Sequence, residues 1–125
     1  MMKYLLVEDE RFAYEEIKRM MQALRADYQM IGWAESVEQA VGFLKQGNID
    51  LMIVDIRLSD GISFEIFEQC PIEIPVIFTT AYDEYALKAF KVNSIDYLLK
   101  PIDEKEMKFS YFFFFIGKNT DKMVN

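Results

Sequence analysis

Four short apolar runs, each closed by a chemically capable side chain, decide what this chain can fold into. Tyr4-Leu5-Leu6-Val7 leads into Glu8-Asp9, and Leu51-Met52-Ile53-Val54 leads into Asp55. Val76-Ile77-Phe78-Thr79 leads into Thr80, and Tyr97-Leu98-Leu99 leads into Lys100-Pro101. Unalternating apolar runs of this length, bounded by polar residues, have the pattern of strands buried on both faces, as in a parallel sheet. The carboxyl ends of such strands share one edge, which is where ligands bind in sheets of this kind. Three carboxylates, a hydroxyl and an ammonium are therefore expected to converge there. That set suits a divalent cation and a phosphoryl group.

The segments between these runs read as helices. In Glu10 to Arg25 the apolar residues Ala13, Ile17, Met20, Met21 and Leu24 fall three and four apart, with Glu15, Glu16, Lys18 and Arg19 outside that face. Tyr28 to Ala34 reads as a second strand interrupted by Gly32. Ser36 followed by Gln39 is a capping-box signal for a helix with Val37, Ala40, Val41 and Leu44 inward, stopped at Gly47-Asn48. Ile49 to Asp55 is the expected central strand, followed by a loop over Ile56 to Gly61 and a short helix around Ser63 to Gln69. Pro71 and Pro75 bracket the approach to the fourth strand, Val76 to Thr80. Asp83 is placed to cap a helix reaching about Lys91, Ile95 to Lys100 is the fifth strand, and Asp103 with Glu106 opens a last helix. Strands separated by helices of this length require right-handed crossovers. The expectation is an α/β, doubly wound, five-stranded parallel sheet with helices on both faces.

The totals narrow the chemistry. At 125 residues the chain is expected to be one domain, without internal repeat or linker. A net charge of -7 argues against direct binding to nucleic acid or to an anionic membrane. The absence of His removes Ser-His-Asp and Cys-His catalysis, His-ligated zinc and a phosphohistidine carrier role. Cys70 is the single cysteine, so no internal disulfide is possible and a small buried or half-buried residue is its expected role. No signal peptide is visible, and no apolar stretch reaches the roughly 18 residues that cross a bilayer, so a cytoplasmic protein is expected.

Within the rim set, Asp55 is the candidate nucleophile toward phosphorus, giving an acyl phosphate. Glu8 and Asp9 are placed to hold a cation that offsets the charge of the incoming anion. Clustered carboxylates without His or Cys favour a hard ion such as Mg²⁺. Without metal the three would repel and raise one another's proton affinity. Lys100 supplies a mobile point charge for Asp55 or a phosphoryl oxygen, and Thr80 a hydroxyl donor.

Taken together, Glu8-Asp9, Asp55, Gly61, Thr80-Ala81 and Lys100-Pro101 resemble the receiver domain of two-component response regulators. The stretch Phe78-Thr79-Thr80-Ala81-Tyr82-Asp83-Glu84-Tyr85-Ala86, then Ala89-Phe90 and Asp96-Tyr97-Leu98-Leu99-Lys100-Pro101, is more narrowly similar to receivers of the LytTR type. The resemblance covers residues 2 to about 107. It implies a flavodoxin-like sheet in the order 2-1-3-4-5, with the receiver domain at 1–108. Asp55 would accept phosphate from a sensor histidine kinase, and Glu8, Asp9, Asp55 and the backbone carbonyl of Arg57 would hold Mg²⁺. Thr80 and Lys100 would bind the phosphoryl group, Thr80 and Tyr97 would be the switch pair, and Arg57 and Tyr82 would set the lifetime of the phosphorylated state. The face of the fourth helix, fifth strand and fifth helix would change, for homodimerisation. The whole would be a signalling module of a transcription regulator, not an enzyme beyond its own phosphotransfer and dephosphorylation.

The segment 109–125 departs from this pattern. Phe109-Ser110-Tyr111-Phe112-Phe113-Phe114-Phe115-Ile116 is apolar on every helical face. Three readings stand side by side: a last helix with one face buried, a sticky dimerisation or aggregation segment, and an altered chain end. No DNA-binding output domain is legible. Two other functions are weighed. A phosphate-independent interaction module on the same fold is opposed by the full set of acids, Thr and Lys. An Asp-nucleophile phosphatase of the haloacid-dehalogenase kind needs an acid two residues after Asp55, where Arg57 stands.

Overall fold

The computed structural model describes residues 2–24, 28–81 and 94–110. Strand β1 (Lys3–Val7) is followed by α1 (Arg11–Leu24), β2 (Gln29–Ala34), α2 (Val37–Gln46) and β3 (Leu51–Asp55). Then come β4 (Arg57–Leu58), β5 (Gly61–Ile62), α3 (Phe64–Gln69), β6 (Val76–Thr80) and β7 (Ser94–Leu99). A closing helix covers 104–110. The main sheet has the order β2-β1-β3-β6-β7, all parallel. Counted over its five strands, this is the expected 2-1-3-4-5.

Every residue of β3 and β6 is buried, as the unalternating apolar runs demand. Their side chains divide between two layers. Leu5, Val7, Met52, Val54, Val76 and Phe78 pack under α2 and α3, where Val37, Ala40, Val41 and Ile66 meet them. Tyr4, Leu6, Ile53, Ile77 and Leu98 pack under α1 and the closing helix, against Ile17, Met20, Met21 and Met107. Helices on both faces thus bury the central strands β3 and β6 completely, and the edge strand β2 only in part.

The helix signals have physical counterparts. Ser36 Oγ accepts a hydrogen bond from the Gln39 amide at 3.1 Å. The Gln39 side chain reaches back to the Glu35 amide, one residue before the cap, at 2.8 Å. Asp60 adds a cap from elsewhere in the chain: its two carboxylate oxygens accept from the Val37 and Glu38 amides at 2.8 and 3.2 Å. Asp103 accepts from the Lys105 amide at 2.6 Å and opens the closing helix as expected. That helix is tied to the sheet by Ser110, whose hydroxyl donates to Asp96 of β7 and also reaches the Glu106 carbonyl at 3.1 Å. Gly32 sits where β2 slips its register against β1. A Cβ there would come within 2.5 Å of the Phe43 ring, so the interruption of the strand makes room for that ring.

Three details differ from the sequence expectation, and a fourth agrees with one of the readings of the last helix. Ile56 to Gly61 is not a plain loop: β4 and β5 pair as a two-residue antiparallel ribbon, with Gly61 at φ 152. The central strand starts at Leu51, because the Asp50 carboxylate instead accepts from the Lys3 amide at 2.9 Å. The last strand ends at Leu99, before Lys100-Pro101, a cis peptide bond. In the closing helix Met107 and Ser110 face inward and Phe109 is 61% exposed, so one face is buried through Ser110. The expected helix from Asp83 to Lys91, with Tyr82, Tyr85 and Phe90, lies outside the described residues, as does the chain after Ser110. Among the described residues no helix is long and apolar enough to cross a membrane.

Tyr4 provides a test of this packing. It is 1% exposed under α1, and burial, with Tyr14 adding to it, pushes its hydroxyl from 10.0 up to about 12. A pKa raised on folding contributes stability that is complete below about pH 10 and lost as pH climbs through about 12. Denaturant unfolding should show a loss of about 2–3 kcal/mol over that interval. In Tyr4→Phe the loss should be smaller by that amount, and an identical alkaline slope in the variant would contradict it.

Candidate functional site

The carboxyl ends of β1, β3, β6 and β7 form one rim, and the side chains expected there come together. Carboxylate oxygens of Glu8, Asp9 and Asp55 lie within 4.8 Å of one another. Glu8 is fully buried, Asp55 is 6% exposed, and Asp9 is open to solvent. Lys100 leaves the end of β7 and places Nζ 2.9 Å from Asp55 Oδ2 and 2.8 Å from Glu8 Oε1. The expectation gave Lys100 one carboxylate partner; it has two, at 2.8 and 2.9 Å, and Glu10 stands farther off at 4.0 Å.

The two contacts differ in kind. The Asp55 contact is a directed hydrogen bond. Glu8 Oε1 is a close charge contact that meets no hydrogen-bond geometry, so this buried oxygen keeps a lone pair unserved. The other Glu8 oxygen accepts from the Glu10 amide at 3.1 Å. Burial pushes the Glu8 carboxyl up to about 7, the Lys100 ammonium opposes that rise, and the Asp55 charge adds to it. Desolvation thus outranks the mutual repulsion that the sequence suggested. Burial would lower the Lys100 ammonium, but the Glu8 and Asp55 carboxylates outweigh it and hold the group above its ordinary value.

The donor set fits a hard divalent ion. It is all oxygen, it carries three carboxylates on one rim, and one of its buried oxygens lacks a directed hydrogen bond. Arg57 follows two residues after Asp55 in β4, with its side chain exposed. Thr80 closes β6 and is fully buried. It alternates onto the same side as Val76 and Phe78, the layer against which Tyr97 also packs. The switch candidates therefore share one layer. Tyr82 lies outside the described residues.

Sequence reasoning missed Trp33. Its indole nitrogen donates to the Glu8 carbonyl at 2.7 Å, and its ring stacks on Tyr14 of α1 at 3.8 Å and 12°. The Glu8 amide in turn donates to the Ala34 carbonyl at 2.8 Å. The backbone that presents Glu8 and Asp9 is thereby held from the end of β2. No local signal marks this role, because it depends on the contact between β1 and β2.

This geometry has counterparts among known proteins. Residues 4–110 match the family model described as response regulator receiver domain. The chain is 40% identical over 110 residues to sensory transduction protein LytT of Bacillus cereus, covering 86% of this chain and 44% of that protein. It is 36% identical over 110 residues to sensory transduction protein LytR of Streptococcus agalactiae, covering 85% and 45%. The chain thus spans less than half the length of these relatives. Among solved structures, the response regulatory domain of protein mrkE from Klebsiella pneumoniae superposes with a TM-score of 0.76 at 28% identity, over 87% of this chain and 91% of that one. With the sheet order, the acidic rim and the match over residues 4–110 in agreement, the chain belongs to the response regulator receiver domain family.

Proposed function

We propose that this chain is a phosphorylation-controlled receiver module that takes a phosphoryl group from a sensor histidine kinase onto Asp55. The observation that carries the reading is the rim itself. Asp55 lies within 4.8 Å of the Glu8 and Asp9 carboxylates and 2.9 Å from the Lys100 ammonium. A magnesium ion bound by Glu8, Asp9, Asp55 and the Arg57 carbonyl would supply the positive charge that lets an anionic phosphoryl group approach a carboxylate. Lys100 then has a second role: released from Asp55, its ammonium pairs with a phosphoryl oxygen. Thr80 donates its hydroxyl to that group, and Tyr97, in the same layer, moves into the space that Thr80 vacates.

The receiver occupies 1–108 and acts in the cytoplasm as a signalling part, not as a turnover enzyme. Its similarity to LytT and LytR supports an origin in a LytTR-type transcription regulator. The output face comprises the helix expected near 83–91, β7 and the closing helix, and serves homodimerisation.

Exposure to a small acyl phosphate with Mg²⁺ should add one phosphoryl group by mass to the wild-type chain and none to Asp55→Ala. A modified Asp55→Ala protein, or an unmodified wild type, would remove the proposal. Steady turnover of a phosphate monoester would favour the phosphatase reading instead.

Two further outcomes follow from the neighbours of the rim. Trp33→Phe keeps the stack on Tyr14 and loses the bond to Glu8. Calorimetric titration should show Mg²⁺ binding weakened about fivefold, the worth of roughly 1 kcal/mol for one neutral hydrogen bond. Unchanged affinity would show that the indole does not position the acids. Arg57, beside the acceptor, shields the acyl phosphate from water by its bulk. Arg57→Ala should shorten the lifetime of the phosphorylated protein severalfold in a decay assay, and an unaltered decay would count against that role.

A further inference from the structure

Thr79 is 1% exposed, and its Oγ1 has no hydrogen-bond partner among the described residues. A buried hydroxyl left unpaired is costly and calls for an explanation. Thr79 also lies in register with Asp55 across the β3–β6 pairing. Alternation along β6 puts Val76 and Phe78 in the layer of α2 and α3, and Ile77 in the layer of α1. Thr79, two residues after Ile77, stands on the α1 side. By the same alternation so do Glu8 after Leu6, Asp55 after Ile53, and Lys100 after Leu98.

β6 lies between β3 and β7. To bring Nζ within 2.9 Å of Asp55 and 2.8 Å of Glu8, the Lys100 side chain crosses the end of β6 on the side where Thr79 stands. An ammonium carries three protons. Asp55 Oδ2 engages one in a directed hydrogen bond, Glu8 Oε1 holds the group by charge at 2.8 Å, and Glu10 Oε2, at 4.0 Å, is beyond hydrogen-bond reach. A spare donor and an unpaired acceptor therefore share one side of two neighbouring strands.

We propose that Thr79 is a positioning residue for phosphoryl transfer: as Lys100 turns from the Asp55 carboxylate to a phosphoryl oxygen, Thr79 Oγ1 accepts a spare ammonium proton and fixes Lys100 there. The inference rests on Asp55 being the phosphoacceptor. In the transfer an Asp55 carboxylate oxygen forms a bond to phosphorus. The bond from phosphorus to the donor's leaving atom breaks (an imidazole nitrogen of the kinase's phosphohistidine, or the carboxyl oxygen of acetyl phosphate), and the leaving group departs with that electron pair. Lys100 keeps its proton throughout, and Thr79 touches none of the reacting atoms.

The test uses the whole chain with acetyl phosphate and Mg²⁺, following phosphorylation by mass. Thr79→Val keeps the side-chain shape and removes the hydroxyl. It should be phosphorylated about tenfold more slowly than wild type, the factor that one hydrogen bond to a charged group corresponds to. Its thermal midpoint should not fall and its Mg²⁺ affinity should hold. Thr79→Ser should return the rate to near the wild-type value. A wild-type rate in Thr79→Val overturns the inference while leaving the Asp55 reading intact. Slowing in Thr79→Ser equal to that in Thr79→Val, or slowing that tracks a lowered midpoint or lost Mg²⁺ affinity, overturns it as well. A wild-type chain that takes no phosphoryl group removes the Asp55 reading and this inference together.

Discussion

The Lys100 ammonium, set between Glu8 and Asp55, is the interaction on which the rim depends. Glu8 is sealed from water and Asp55 nearly so, and carboxylates in such places are tolerated only when opposite charge stands beside them. One cation reaches both because the strands run parallel and end on the same edge. The pairing spans four strands of the sheet, from β7 across β6 and β3 to β1. It joins the last strand of the fold to the first, so the rim is fastened at both sides.

Much of this was legible before any coordinates. The apolar runs of β1, β3 and β6 could only be strands buried on both faces, and parallel pairing then sent Glu8, Asp9, Asp55, Thr80 and Lys100 to a common edge. Ser36, Asp103 and Gly47 marked helix ends because capping is a local matter, decided within a few residues. What escaped was nonlocal. The Trp33 bond to Glu8 spans 25 positions, and Asp60 caps α2 from 23 positions away. No window of sequence contains both partners. The ribbon of β4 and β5 escaped for another reason: two-residue strands carry no alternation to read.

The two-layer division also explains why neighbouring threonines differ. Thr80 belongs to the layer of α2 and α3 with Tyr97, whereas Thr79 belongs to the layer of α1 with Lys100. A strand that ends in two hydroxyls serves both sides of the sheet at the point where Asp55 is held. The α2 and α3 layer is rich in aromatic contact there, with Phe64 and Phe67 set against Phe78 at ring distances of 5.3 and 5.7 Å. Such a layer answers a shift at its edge by repacking in discrete steps.

Asp96 and Tyr97 are consecutive in β7, and they point to opposite sides. Tyr97 packs into one layer, while Asp96 accepts a hydrogen bond from Ser110 on the far side of the sheet. The bond that holds the closing helix to the sheet thus sits one residue from the side chain that fills the opposite layer.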